Sequence, residues 1–147
     1  MTLKEQLQDD VEKAMRSGDQ QRRNVLRLML AAIKQEEVDE GHSLNEEEVR
    51  AVLAKQAKQR RETIADAQRA GRREMAASER AELAIIKDYL PEQMDRDEIR
   101  ALAREEIEAV GATGMKDMGQ VMGRLMPRLK GRADGSVVSE VVRELLA

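Results

Sequence analysis

Five cations crowd the last third of the chain. Lys116, Arg124, Arg128, Lys130 and Arg132 are opposed between positions 116 and 134 only by Asp117 and Asp134. Helical spacing puts Lys116, Gln120 and Arg124 on one side of a segment, away from its methionines. Arg128, Lys130 and Arg132 follow in or beside a glycine-bounded loop. Lysines and arginines on loops beside helix ends make good phosphate contacts. The same residues also suit a plain solvated surface, and residue types alone leave the two readings evenly open. An earlier cluster, Lys55, Lys58, Arg60, Arg61, Arg69, Arg72 and Arg73, faces only Glu62 and Asp66. A charge run of that kind is more often a solvated helix face.

Glycines interleave the later cluster. Gly114 and Gly119 have the spacing of a phosphate loop, but Gln120 and Val121 stand where Lys and Ser/Thr must reach phosphate and magnesium. Gly111-Ala112-Thr113-Gly114 matches the bare GXXG of KH domains, which needs strands that this sequence does not offer. Gly119 and Gly123 lie one helical turn apart and would let a backbone approach closely. A neighbouring helix is the favoured occupant, a sugar–phosphate chain the other. Met115, Met118, Met122 and Met126 could form an adaptable binding surface, although core packing is the default at helical spacing.

Other chemistry is thinly supplied. His42 is the one histidine and stands among Asp39, Glu40 and Glu46, which suits a solvated loop better than a metal site. Ser17, Ser43, Ser78, Ser136 and Ser139 have no histidine to activate them. There is no cysteine, hence no disulfide framework or thiol nucleophile. Aromatic residues are reduced to Tyr89, which argues against base-stacking platforms and drug-sized cofactor pockets. No catalytic residue, cofactor or metal is expected.

The elements that position these residues read as helices throughout. The chain has 147 residues, 37% of them charged, with a formal net charge of -3. That balance gives no whole-protein attraction to nucleic acid. No segment is apolar enough for a membrane span and the start lacks a signal-peptide core, so the expected location is the cytoplasm. Leu3, Leu7, Val11 and Met15 outline a first helix, capped by Thr2 with Glu5 at the capping-box spacing and broken at Ser17-Gly18-Asp19. Val25, Leu26, Met29, Leu30, Ile33 and Val38 mark a second, ended by Gly41. Asn45 and Glu48 open a third, with Leu44 and Val49 as a staple pair. Its apolar positions run from Val49 to Ala67, but the polar stretch from Lys55 to Arg61 is expected to face solvent, and Gly71 closes it. Met75, Leu83, Ile86 and Leu90 give a fourth, closed by Pro91.

After Pro91 the cap grammar restarts, with Asp95 and Glu98 opening a fifth helix that buries Ile99, Leu102, Ala103, Ile107 and Val110. A sixth carries Met115, Met118, Met122, Leu125 and Leu129, with Pro127 expected to kink or shorten it. A seventh carries Val137, Val138, Val141, Val142, Leu145 and Leu146. The expected fold is all-α: a four-helix domain over residues 1–91 and a three-helix domain over 92–147.

Particular words of the sequence carry a family resemblance. Tyr89-Leu90-Pro91-Glu92-Gln93, Val110-Gly111-Ala112-Thr113, Asp117-Met118-Gly119-Gln120-Val121-Met122-Gly123 and Gly131-Arg132-Ala133-Asp134-Gly135 resemble the signature of the bacterial YqeY family. Asn24 to Met29 and Ala32-Ile33-Lys34 follow the family's order in the first half. The resemblance covers essentially the whole chain. It implies a two-part helical protein whose C-terminal part is similar to the tail domain of the B subunit of tRNA-dependent amidotransferases (GatB), and to the equivalent GatE tail. It also implies tRNA as a partner. By position, Lys116, Arg124, Arg128, Lys130 and Arg132 would sit at phosphates, with Gly119 and Gly123 admitting the backbone.

The relatives' label, carbon-nitrogen ligase with glutamine as amido-N-donor, belongs to complexes that contain an amidase and an ATP-dependent domain. Neither motif set is present here. The expectation is a non-catalytic tRNA-binding accessory module, with five phosphate contacts giving a log-affinity slope against log salt of very roughly -3 to -5. The alternative is a protein-interaction adaptor that docks on an aminoacyl-tRNA synthetase or amidotransferase subunit. An enzyme in its own right ranks last.

Overall fold

All residues from 1 to 147 are described in a computed structural model, and the molecule is helical throughout, with no strand. Two compact units divide the chain, Met1–Leu90 and Pro91–Ala147.

The first unit holds α1 (Leu3–Ser17), α2 (Gln20–Glu40), α3 (Glu46–Arg69) and α4 (Arg73–Lys87). Local chemistry sets the boundaries. Thr2 accepts a hydrogen bond from the Glu5 backbone, and Asn45 and Glu48 close a full capping box at the start of α3. Gly18 and Gly41 end α1 and α2 in the left-handed region (φ 78° and 77°), where a side chain would be strained. α1 packs on α2, and α3 on α4, as long neighbours. Leu7, Leu26, Met29, Ile33, Leu53 and Ile86 are fully enclosed between them. Burying such a side chain contributes about 1.5–3 kcal/mol. Tyr89 closes the unit: its hydroxyl donates to Asp10 Oδ2 at 2.6 Å, tying the residues after α4 back to α1.

Several details differ from the sequence reading. Ala14, not Met15, completes the buried face of α1; Met15 is exposed. Steps of four drift about 40° each on a 3.6-residue helix, so position 15 has rotated away while position 14 has returned to the face. Val38 and Met75 are likewise exposed. The middle of α3 does not simply face solvent: Ala57 is buried, and the Arg60 side chain is only 12% exposed, paired with Glu82 at 3.5 Å. α4 ends at Lys87, so Leu90 packs from the following turn.

The second unit holds α5 (Arg96–Val110), a 3-10 turn (Met115–Asp117), α6 (Met118–Leu129) and α7 (Gly135–Leu146). Asp95 accepts from the Glu98 backbone and Asp134 from the Ser136 backbone, so each carboxylate caps a helix start. The three helices pack on one another around Ile99, Ala103, Val121, Leu125, Leu129, Val138, Val141 and Val142. Met118, Met122 and Met126 are half-buried against this core, while Met115 is exposed. Pro127 does not end α6, which runs two residues further. Arg96 bonds Glu140 and Glu144, linking α5 to α7.

Candidate nucleic-acid interface

The outer face of α6 follows from its inner one. Val121, Leu125 and Leu129 turn inward, which leaves Gly119, Gln120, Gly123, Arg124, Pro127 and Arg128 outside. α6 has twelve residues and spans about 18 Å. Lys116 stands exposed at its beginning; Lys130 and Arg132 stand exposed just past its end. The five cations therefore line a rod and do not form a compact cluster.

Two of the five converge on one carboxylate. Arg124 Nε donates to Glu106 Oε2 at 2.7 Å, and Arg128 Nη1 donates to Glu106 Oε1 at 2.9 Å. Arg128 Nη2 also donates to Glu105 Oε2 at 3.0 Å. Glu106 is only 6% exposed, the one charged residue among the buried set. Hydrogen bonds from Arg124, then Arg128, hold its carboxyl below the usual carboxylate range. The same contact with Glu106 raises the Arg128 guanidinium further. The arginine side chains stay 55% and 40% exposed, and each guanidinium has more N–H donors than these bonds use.

Glu106 was missed in the sequence, although a signal exists there. It lies three residues after Ala103 and four before Val110, in the apolar stripe of α5. A carboxylate at a core-facing position demands a partner. Arg124 and Arg128, one turn apart on the next helix, are the spacing that supplies two.

The loops are tied down as well. Asp117 Oδ2 accepts from the Thr113 backbone at 2.9 Å, closing the turn before α6. Gly131 adopts φ 76° after α6. Its carbonyl accepts from Gln93 Nε2 at 2.9 Å, and the Arg132 carbonyl accepts from the Met94 backbone at 2.9 Å. Arg132 Nε reaches the Glu92 carbonyl at 3.4 Å, a long contact.

Gly119 and Gly123 present an open face, not a helix contact. A neighbouring helix was the favoured occupant of their face, yet nothing lies within 4 Å of where either Cβ would stand. The backbone of α6 is open there. The electrostatics of the unit are also weaker than the cluster suggests. Pro91 to Ala147 contains nine lysines and arginines against eleven aspartates and glutamates, so any attraction for an anion is local. No three acidic, histidine or cysteine side chains come together as a metal-holding cluster, and no helix is long and apolar enough to cross a membrane.

Comparison with known proteins bears on the whole chain. The model of the family described as Yqey-like protein matches residues 4–146. Altered inheritance of mitochondria protein 41, mitochondrial, of Lachancea thermotolerans is 33% identical over 85 residues, 57% of this chain and 46% of that protein. The protein of the same name from Vanderwaltozyma polyspora is 28% identical over 120 residues, 76% of this chain and 64% of that protein. The Saccharomyces cerevisiae protein is 33% identical over 85 residues, again 57% and 46%. The matched part thus spans about half the length of the first of these relatives. A match that runs from Lys4 to Leu146 takes in both units, α6 and its flanking loops included, and the chain belongs to the Yqey-like protein family.

Proposed function

We propose that this protein is a non-catalytic RNA-binding accessory module that holds the phosphate backbone of a tRNA along the outer face of α6 and the loop after it. One observation carries the reading: Glu106 fixes Arg124 and Arg128 side by side while both side chains stay about half exposed. A guanidinium held in place loses less side-chain freedom when it meets a phosphate than a mobile one does. The open backbone at Gly119 and Gly123 supports the same reading, because a sugar–phosphate chain can approach there. So does the resemblance of this part to the GatB tail domain.

Chemistry is not assigned to these residues. Amidotransfer requires the amidase and ATP-dependent parts of other proteins, and this module would supply grip alone. Stacking of bases on Phe, Tyr or Trp has no part in it, since Tyr89 is buried in the first unit and the chain has no other such residue. The cytoplasm and the mitochondrial compartment named for the relatives both contain tRNA, and both are compatible with the proposal.

The test is binding of the purified chain to total cellular tRNA at several salt concentrations. Arg124 and Arg128 carry their own counter-charge, so the log–log salt slope should be shallower than five bare contacts would give, about -2 to -3. The variant must spare both arginines, because reversing Arg128 would set like charges against Glu105 and buried Glu106. Lys116→Glu/Arg132→Glu is the appropriate reversal and should weaken binding about tenfold with unchanged circular dichroism. Unchanged affinity in that variant would overturn the site. Absence of binding at low salt would overturn the RNA reading itself.

A further inference from the structure

The cations of the first unit have no part in the α6 face. Among them, Arg61, Arg80 and Lys87 surround a groove between α3 and α4. The groove encloses about 400 Å³ and is lined by Arg61, Ile64, Arg80, Leu83, Ala84 and Lys87. Its construction follows from helical spacing. Arg80, Leu83, Ala84 and Lys87 lie at i, i+3, i+4 and i+7, one face of α4. Arg61 and Ile64 are the matching pair on α3.

Two properties single it out. First, no carboxylate lines it, and none of its three cations makes an ion pair, whereas neighbouring Arg60 is held by Glu82. Second, the space between the cations is hydrocarbon: Ile64, Leu83 and Ala84 offer no donor or acceptor. A second groove in the same unit, of about 440 Å³ between α2 and α3, has the opposite balance, with Glu36, Asp39 and Glu48 against Lys55. The cationic groove is therefore a local feature and does not reflect the composition of the unit.

We propose that the α3–α4 groove is a docking site for an acidic peptide segment of a partner protein that carries an aliphatic anchor. Carboxylates of the segment pair with Arg61, Arg80 and Lys87, and its anchor covers Ile64, Leu83 and Ala84. Each half of the ligand answers one half of the site. Ile64 and Leu83 are core residues that show only an edge in the groove, so the gain comes mainly from the anchor's own apolar surface leaving water. The unpaired cations steer an acidic partner and suppress basic ones. A nucleic acid answers the cations alone, because the patch has neither an aromatic platform for a base nor a polar group for its edge.

The experiment uses the full chain and a fluorescein-labelled peptide, Gly-Glu-Glu-Leu-Leu-Glu-Asp-Glu-Gly. Anisotropy gives affinity, and amide shifts of the isotope-labelled protein locate the contact. Saturable binding should perturb Arg80, Ala84 and Lys87 amides. Arg80→Glu/Lys87→Glu should weaken it at least about tenfold, the two sites being exposed and unpaired in the fold. Replacing both peptide leucines by serine should weaken it by about tenfold as well. Arg80→Ala/Lys87→Ala supplies the same comparison should the reversal unfold the unit. No saturable binding overturns the proposal, as does binding indifferent to the charge reversal or to the leucines. An RNA dodecamer that shifts these amides at lower concentration than the peptide would reassign the groove to nucleic acid. Self-association lost in the reversed variant would reassign it to a second copy of the chain. The residues are disjoint from those on α6, so this proposal and the tRNA reading can fail separately.

Discussion

Two regions, one in each unit, handle positive charge in opposite ways. In the second, arginines come with carboxylates attached: Arg124 and Arg128 share Glu106, and Arg96 bonds Glu140 and Glu144. In the first, the cations lining the α3–α4 groove have no such partners. Counting charges along the chain gives seven cations against two acids in the first cluster and five against two in the second, and misses the acids that neutralise α6, which lie some twenty residues upstream on α5. Proximity along the sequence is a poor guide to potential. What decides is which helix packs across the way. A paired arginine offers placed donors with little field, and an unpaired one offers field with little placement. The two proposals above use these two kinds of cation for two kinds of ligand.

The comparison can be tested for stability as well as binding. The largest expected effects are in the cores. Leu26→Ala and Leu125→Ala each remove a fully enclosed side chain, and each should cost about 2–5 kcal/mol. The shorter second unit has less to lose, since small domains are marginal. Leu125→Ala should therefore abolish amide protection in α5–α7 while α1–α4 stay protected, and Leu26→Ala should lower the melting temperature of the first unit without unfolding it. Protected α5–α7 amides in Leu125→Ala would break the asymmetry.

A smaller effect is expected at the buried polar contact of the first unit. Tyr89→Phe keeps the ring and deletes the hydroxyl bonded to Asp10, and should cost about 1.5–3 kcal/mol in chemical denaturation. Smaller again, and of opposite sign, is Gly123→Ala. The site is mid-helix with nothing within 4 Å of the added Cβ, so α6 should gain about 1 kcal/mol. If the same variant binds tRNA more weakly while melting higher, the open backbone serves the ligand; equal binding would remove the glycine from the interface.

The subtlest effect is a pH dependence. Glu106 has a folded-state pKa below its unfolded value, so its contribution is present above the usual carboxylate range and is lost as pH falls through the lowered folded value. Stability of the second unit should therefore drop below about pH 4. Glu106→Gln should flatten that acid limb, as followed by thermal melts between pH 3 and pH 7. An identical limb in the variant would mean that the arginines do not depend on the charge of Glu106.

Much of the fold is legible in local grammar. Thr2, Asn45 and Asp95 read as caps because the carbonyl or hydroxyl of a short side chain meets a backbone donor three residues on, an interaction decided within one turn. Gly18 and Gly41 read as helix ends for the same local reason. The apolar stripes of α5 and α7 survive the step from pattern to packing. What failed depends on distance. Met15 was misplaced by extending a four-residue step too far. The empty face at Gly119 and Gly123 could not be read, because a small residue announces that something can approach and is silent on whether anything does. The candidate site was half legible: its cations could be named, but their neutralisation by Glu105 and Glu106 is a contact between helices.

Tyr89 has a consequence for observation. The chain has no other tyrosine and no phenylalanine or tryptophan, so near-ultraviolet absorbance and intrinsic fluorescence report on Met1–Leu90, while Pro91–Ala147 is dark at those wavelengths. Burial, then the bond to Asp10, pushes the Tyr89 phenol well above an ordinary value of about 10. In alkaline solution the tyrosinate band should appear as the first unit opens and not as a simple titration. Far-ultraviolet ellipticity sees every helix. The difference between the two signals is a label-free melting curve for the second unit, which has no near-ultraviolet chromophore.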